Sequence, residues 1–416
     1  MPRPLRQFAM CSNLAVAALL AALLAVTGCP RPADRFARQL PVRIECIPVI
    51  RVRVATAPDL AMATSGPYRL LVDGRIVAAA GDPLPATRLQ RRDDGFALRR
   101  EFYPGTTLTV EPIDRGRVRL GEIAYRGAVS FTADSDAGMI AVNHVDVESY
   151  LAGVLPRELY PGWDDTTYRV QAIAARTYAL YEKTACGANG PYDLRNDQSS
   201  QVYGGFTAET DRAWRAVRGT HGIVLATGAR GQERIFRAHY SSCCGGRTNP
   251  VHVLYGPPVT AGPLAGGVIC DDCKASSRYS WPPVTVPKDV IHKALGRVYP
   301  QAAAMESVTA VRVVSECNGR GVWLDVIGPG GKKVRVRADD LRLALLRYPE
   351  GPRGLYSMNC RIRDAGDSVV FEWGRGFGHA VGLCQWGARG KALRGESVEQ
   401  ILATYYPTSR LFRAYD

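Results

Sequence analysis

The stretch VDVESYLAGVLPRELYPGWDDTTYRVQAIAARTYALYEK, Val145 to Lys183, divides the chain into two textures. Within it Val147, Tyr150, Leu151 and Val154 recur at i, i+3, i+4 and i+7, which predicts one apolar helical face, with Pro156 as its stop. A second stripe, Val170, Ile173, Thr177 and Leu180, predicts another helix. The irregular link between them carries Glu158 and Trp163. Upstream, from Val42 to Asn143, runs such as VRIECIPVIRVRV, YRLLVDGRIVAA, TTLTVEPI, GAVSFTA and GMIAVN are broken by Asp-Gly, Gly-Pro and Pro-Gly pairs. That pattern reads as β-rich. Downstream, β-type runs (GIVLAT, RIFRAHYSS, VTAVRVVSE, VWLDVIG) mix with helical ADDLRLALLRY and SVEQILATYY. With no regular βαβ alternation, the fold class is α+β: a β-rich part over 42–143, then a mixed α/β core over 144–416.

The 416 residues carry a formal net charge of +14, with 46% hydrophobic and 22% charged residues. This is the composition of a folded chain with a preference for anionic partners. Arg3 and Arg6 precede the apolar run Leu14–Val26 and then Thr27-Gly28-Cys29. A basic flank, a short apolar run and small residues read as an export signal over 1–28. The cysteine after them resembles a bacterial lipobox, so Cys29 is the expected lipidation site, followed by a tether over 29–41. The expected place is the cell envelope, periplasmic and membrane-anchored, which argues against nucleic acid and nucleotide cofactors as partners.

Eleven cysteines fit an oxidising compartment. His239, Cys243 or its neighbour Cys244, and the pair Cys270 and Cys273 could make a tetrahedral zinc site. Disulfides explain the same residues equally well, and Cys317 with Cys360 is one candidate pair. Glu158, among Pro156, Leu159, Tyr160 and Trp163, has the apolar setting that raises a carboxyl pKa and suits a general acid. The segment GRGFGHAVGLCQWGARG, Gly374 to Gly390, holds six glycines around His379, Cys384, Gln385 and Trp386. It reads as a cleft wall that a ligand approaches closely. A thiol nucleophile at Cys384 with His379 as base is a competing reading. HExxH, GxSxG and Walker patterns are absent.

Taken in order, HVDVESYLAGVLPREL, QAIAARTYAL, SSQVYGG, RAHYSSCCGGRT, GRGFGHAVGLCQWGA and ILATYYP resemble the SpoIID/LytB family. The resemblance implies a lytic transglycosylase that cleaves peptidoglycan between MurNAc and GlcNAc, preferring strands without stem peptides and leaving 1,6-anhydro-MurNAc ends. It implies Glu158 as catalytic acid and Arg176 as a second residue needed for activity. Gln201, Tyr203, His239, Ser241, Gly245, Gly246, His379, Gln385 and Trp386 are its implied cleft residues. No cofactor is implied as required. The zinc held by some family members near SSQVY should be absent, because Leu194, Ser199 and Ser200 stand at the ligand positions. Ala380, commonly Gly in the family, and Cys384, often Ser, depart from the pattern. A structural envelope protein that binds cell wall without cleaving it is one alternative, and two more remain. One is a non-catalytic glycan-binding module that stimulates a cell-wall amidase. The other is a hydrolase using a second carboxylate from Asp164, Asp165, Asp193 or Asp197. The lipid anchor points to general envelope work rather than sporulation.

Overall fold

The structure is a computed structural model that describes residues 44–134, 138–186, 190–229, 231–255 and 262–416. The expected signal, tether and Cys29 lie outside the described residues. The β-rich part builds two antiparallel sheets. One has seven strands, with Val49–Ala57 and Gly138–Asp146 paired next to its edge strand Leu194–Arg195; the other has six. Period-two alternation decides which faces are covered: Ile50, Val52, Leu108, Val110, Val129 and Phe131 are fully buried.

Strand and helix meet at Asp146 without a loop. Its carboxylate accepts the Ser149 N–H at 2.8 Å and caps helix α1, Val147–Glu158. Pro156 does not stop this helix as predicted. In the last turn a missing N–H removes a single bond, and the helix closes two residues later as Leu159 N–H bonds Leu155 O at 2.9 Å. Helix α2 follows as Asp165–Cys186. Asp164 starts it by accepting the Thr167 N–H at 2.8 Å. Helix α3, Asp211–Gly219, was not legible as a helix; its first turn is capped by Thr210.

The buried apolar side chains form three clusters. The first joins the β-sheets to α1 and α2, and the second gathers around the two glycine-rich motifs. The third lies wholly within 281–371 and contains helices α4 (Lys288–Gly296) and α5 (Ala338–Arg347). Helix α6, Gln385–Leu393, and helix α7, Val398–Tyr405, complete the second layer. Mixed helices and sheets bear out the α+β class. Among the described residues no helix is long and apolar enough to cross a membrane.

Candidate functional site

The site begins with a short parallel clasp. Tyr240 pairs with Leu383 and Ser241 with Cys384, and a bridge joins Cys243 to Phe377. This lays RAHYSSCC beside GHAVGLCQ. Gly382, at φ +69°, makes the contact possible, because a Cβ there would collide with the His239 carbonyl. The clasp forms one wall of a cleft of about 700 Å³. The C-terminal end of α1 supplies Arg157 and Glu158, and α5 contributes Asp339, Asp340 and Arg342 from the third cluster.

Glu158 sits half-buried on that wall and accepts the Val202 N–H on Oε1 at 2.9 Å. Burial pushes its carboxyl above the ordinary range; the Val202 N–H and the Gln385 side chain oppose the shift without cancelling it. Gln385 opens α6 and turns its side-chain amide to the Glu158 carboxyl. The other two carboxyls of the cleft are neutralised. Asp339 accepts from Arg342 at 2.7 Å and Asp340 from Arg337 at 2.7 Å. Burial alone would raise Asp339, but its arginine holds it at about 2.

His239 and His379 face each other with ring centroids 5.5 Å apart. Burial, Arg237 and the neighbouring His379 hold His239 well below its ordinary value. Burial lowers His379 to about 4 against the pull of Asp339. Both are neutral near pH 7 and offer hydrogen bonds rather than charge. The His239 Nε2 lies 3.0 Å from the Tyr255 hydroxyl, and His379 Nδ1 accepts the Val381 N–H at 2.9 Å. At the rim, Tyr160 stands 53% exposed beside Trp163 and Trp386, with centroids 5.3 and 5.7 Å away. This is a stacking platform open on one side.

His239, Ser241, His379 and Gln385 therefore line the cleft with Glu158, and Trp386 backs its aromatic rim. The remaining expected site residues do not line it. Arg176 is fully buried, with Nε and Nη2 on Glu148 at 2.9 and 2.7 Å and Nη1 on the Ile223 carbonyl at 3.0 Å. The residue expected to be needed for activity thus stands in the core and not at the cleft, where its guanidinium ties α1, α2 and the segment after α3 together. Gln201 is buried between the Tyr150 and Tyr240 hydroxyls, each at 3.0 Å. Tyr203 bonds Asn143 at 3.0 Å beneath α1. Gly245 and Gly246 turn behind the wall at φ +76° and +110°.

Of the alternative carboxylates, Asp164 caps α2, Asp165 pairs with Arg212, Asp193 with Arg51, and Asp197 bonds Ser199. None lines the cleft. Cys384 is fully buried, its Sγ accepts the Cys244 and Gly387 N–H groups at 3.3 and 3.4 Å, and among the described residues it has no hydrogen bond to His379 that would support a nucleophile–base pair. The expected zinc set is corrected too. His239 belongs to the cleft, and the Cys243 thiol donates to the Cys273 carbonyl at 3.6 Å. The sequence reading missed Tyr178, Arg237, Tyr240 and the α5 residues. Arg237 and Tyr240 flank His239 in the quoted motif; α5 joins the cleft only through tertiary packing.

An α+β protein with a polar, aromatic-rimmed cleft and, among the described residues, one half-buried cleft acid without an arginine partner is thus defined. A family model described as Stage II sporulation protein, SpoIID, matches residues 135–226, which hold α1, α2 and Glu158. The family match, with relatives named Stage II sporulation protein D and Amidase enhancer, supports membership of the SpoIID/LytB family. It is 25% identical over 324 residues to Stage II sporulation protein D of Bacillus subtilis, covering 74% of this chain and 85% of that one. It is 24% identical over 299 residues to the Amidase enhancer of Bacillus subtilis, spanning 63% of this chain but only 40% of the enhancer. An uncharacterized protein of Brachyspira hyodysenteriae is 29% identical over 288 residues, 69% of this chain and 72% of its own.

Proposed function

We propose that the protein is an exported lytic transglycosylase of peptidoglycan, acting on strands without stem peptides. The observation that carries the reading is Glu158, among the described residues the one cleft carboxyl without an arginine partner, with a pKa raised by burial, the direction a general acid needs. Glu158 gives its proton to the glycosidic oxygen as the MurNAc C1–O bond breaks. The C6 hydroxyl of the same MurNAc then bonds to C1, and its proton returns to the Glu158 carboxylate. No water is consumed. A second carboxylate, which hydrolytic glycosidases use, is not required, in keeping with Asp339 and Asp340 both being tied to arginines.

Neutral His239 and His379 are suited to sugar hydroxyls, and the Tyr160 face to a pyranose ring. Exposed Arg157, without an ion pair among the described residues, suits the lactyl carboxylate of a stripped MurNAc. Cys29 would anchor the chain to the membrane. The similarity to a protein named Amidase enhancer favours a second reading, in which the cleft binds glycan and stimulates a cell-wall amidase. Incubating the protein and Glu158→Gln with intact and amidase-stripped strands separates them. Anhydro ends made by the wild type alone support the first reading. Glycan binding and amidase stimulation by both proteins, without products, support the second.

A further inference from the structure

We propose that Cys244, Cys270, Cys273 and Cys384 hold one tetrahedral Zn2+ behind the cleft wall. Their four Sγ atoms all lie within 4.8 Å of one another, and Cys244 and Cys273 are 3.7 Å apart. Four sulfurs at about 2.3 Å from a tetrahedral zinc stand about 3.8 Å from each other. None of these cysteines is in a disulfide, and each is at most 1% exposed. The ligands arrive from three separate places: the strand end after Tyr240–Ser241, the turn around Cys270 and Cys273, and the residue that caps α6.

The surroundings are those of metal-bound thiolates. Cys384 Sγ accepts two backbone N–H groups, from Cys244 and from Gly387 in the first turn of α6. The Tyr405 hydroxyl lies 3.2 Å from Cys270 Sγ. Donors of this kind, with a helix N-terminus, offset the negative charge of an all-sulfur site. Gly387 is needed for the convergence: a Cβ there would collide with both Cys270 Sγ and the Tyr405 hydroxyl. The zinc would cross-link the Tyr240–Ser241 strand to the start of α6, one residue from Gln385. It is a structural centre, closed by four protein ligands and out of reach of substrate.

Elemental analysis of the purified full chain should find one zinc per molecule. After exchange, the Co2+ spectrum should show the sulfur-to-metal charge-transfer and d–d bands of a tetrahedral all-sulfur set. Cys273→Ser and Cys384→Ser should lose the metal, whereas the neighbouring Cys243→Ser should keep it. The wild-type stoichiometry and spectrum do not depend on whether the variants fold. Metal-free protein with titratable thiols, disulfides among these cysteines, an iron chromophore, or zinc retained by Cys273→Ser would overturn the assignment.

Discussion

Glu158 and Arg176 were expected to work together, and the structure separates them into a group at the cleft and a group in the core. Burial favours the neutral form of Glu158, so its folded pKa lies above the unfolded value. The associated stability is complete below the unfolded value and is lost as pH rises through the folded one. Glu158→Gln should therefore hold its Tm better than the wild type across that rise, while wild-type cleavage falls over the same window. A thermal-shift series against pH checks the first and a rate profile the second; parallel melting curves would contradict the desolvation argument. Arg176→Met should cost about 3–5 kcal/mol, because it strands the Glu148 carboxylate in the core. Activity per folded molecule should survive, as urea denaturation and assays on the folded fraction would reveal. The sequence marked Arg176 as significant but could not say for what, since its partners are 28 and 47 residues away.

At the scale of elements, α1, α2, α5 and α7 were legible because each writes an apolar stripe at helical spacing. Helix α6 was not: QWGARGKAL carries two glycines, and its start is set by the Cys384 cap rather than by propensity. Gly387 and Gly390 let α6 approach Cys270 and Tyr405, with Gly390 lying against Asp272. Ala380 takes φ +60° in the same segment, a left-handed conformation that costs an L side chain about 1–2 kcal/mol. Ala380→Gly should recover part of that cost. Chemical denaturation should place the gain near 1 kcal/mol, with cleavage intact; a loss of stability would mean that the buried methyl outweighs the strain.

The whole molecule brings α5, from the core formed by residues 281–371, over motifs that precede and follow it in the chain. Nothing local in ADDLRLALLRY announces that placement, and for this reason the second wall stayed invisible while the first was readable from its motifs. Arg342, 5% exposed and paired with Asp339, holds the wall charge-neutral. Asp339→Asn should cost about 3–5 kcal/mol at pH 7 by leaving that guanidinium unpaired. With Asp339 held at about 2, the difference between the proteins should shrink as pH falls from the ordinary aspartate range through that value, as melting curves in acid would show. The central claim rests on the cleft as a whole, with one working carboxyl and, among the described residues, no second free one. Its most direct test is mass spectrometry of the products from amidase-stripped glycan strands, with the wild type beside Glu158→Gln. The account predicts 1,6-anhydro-MurNAc ends from the wild type and a fall of about 10²–10⁴-fold in the variant. Reducing ends one water heavier, or equal products from both proteins, would contradict it.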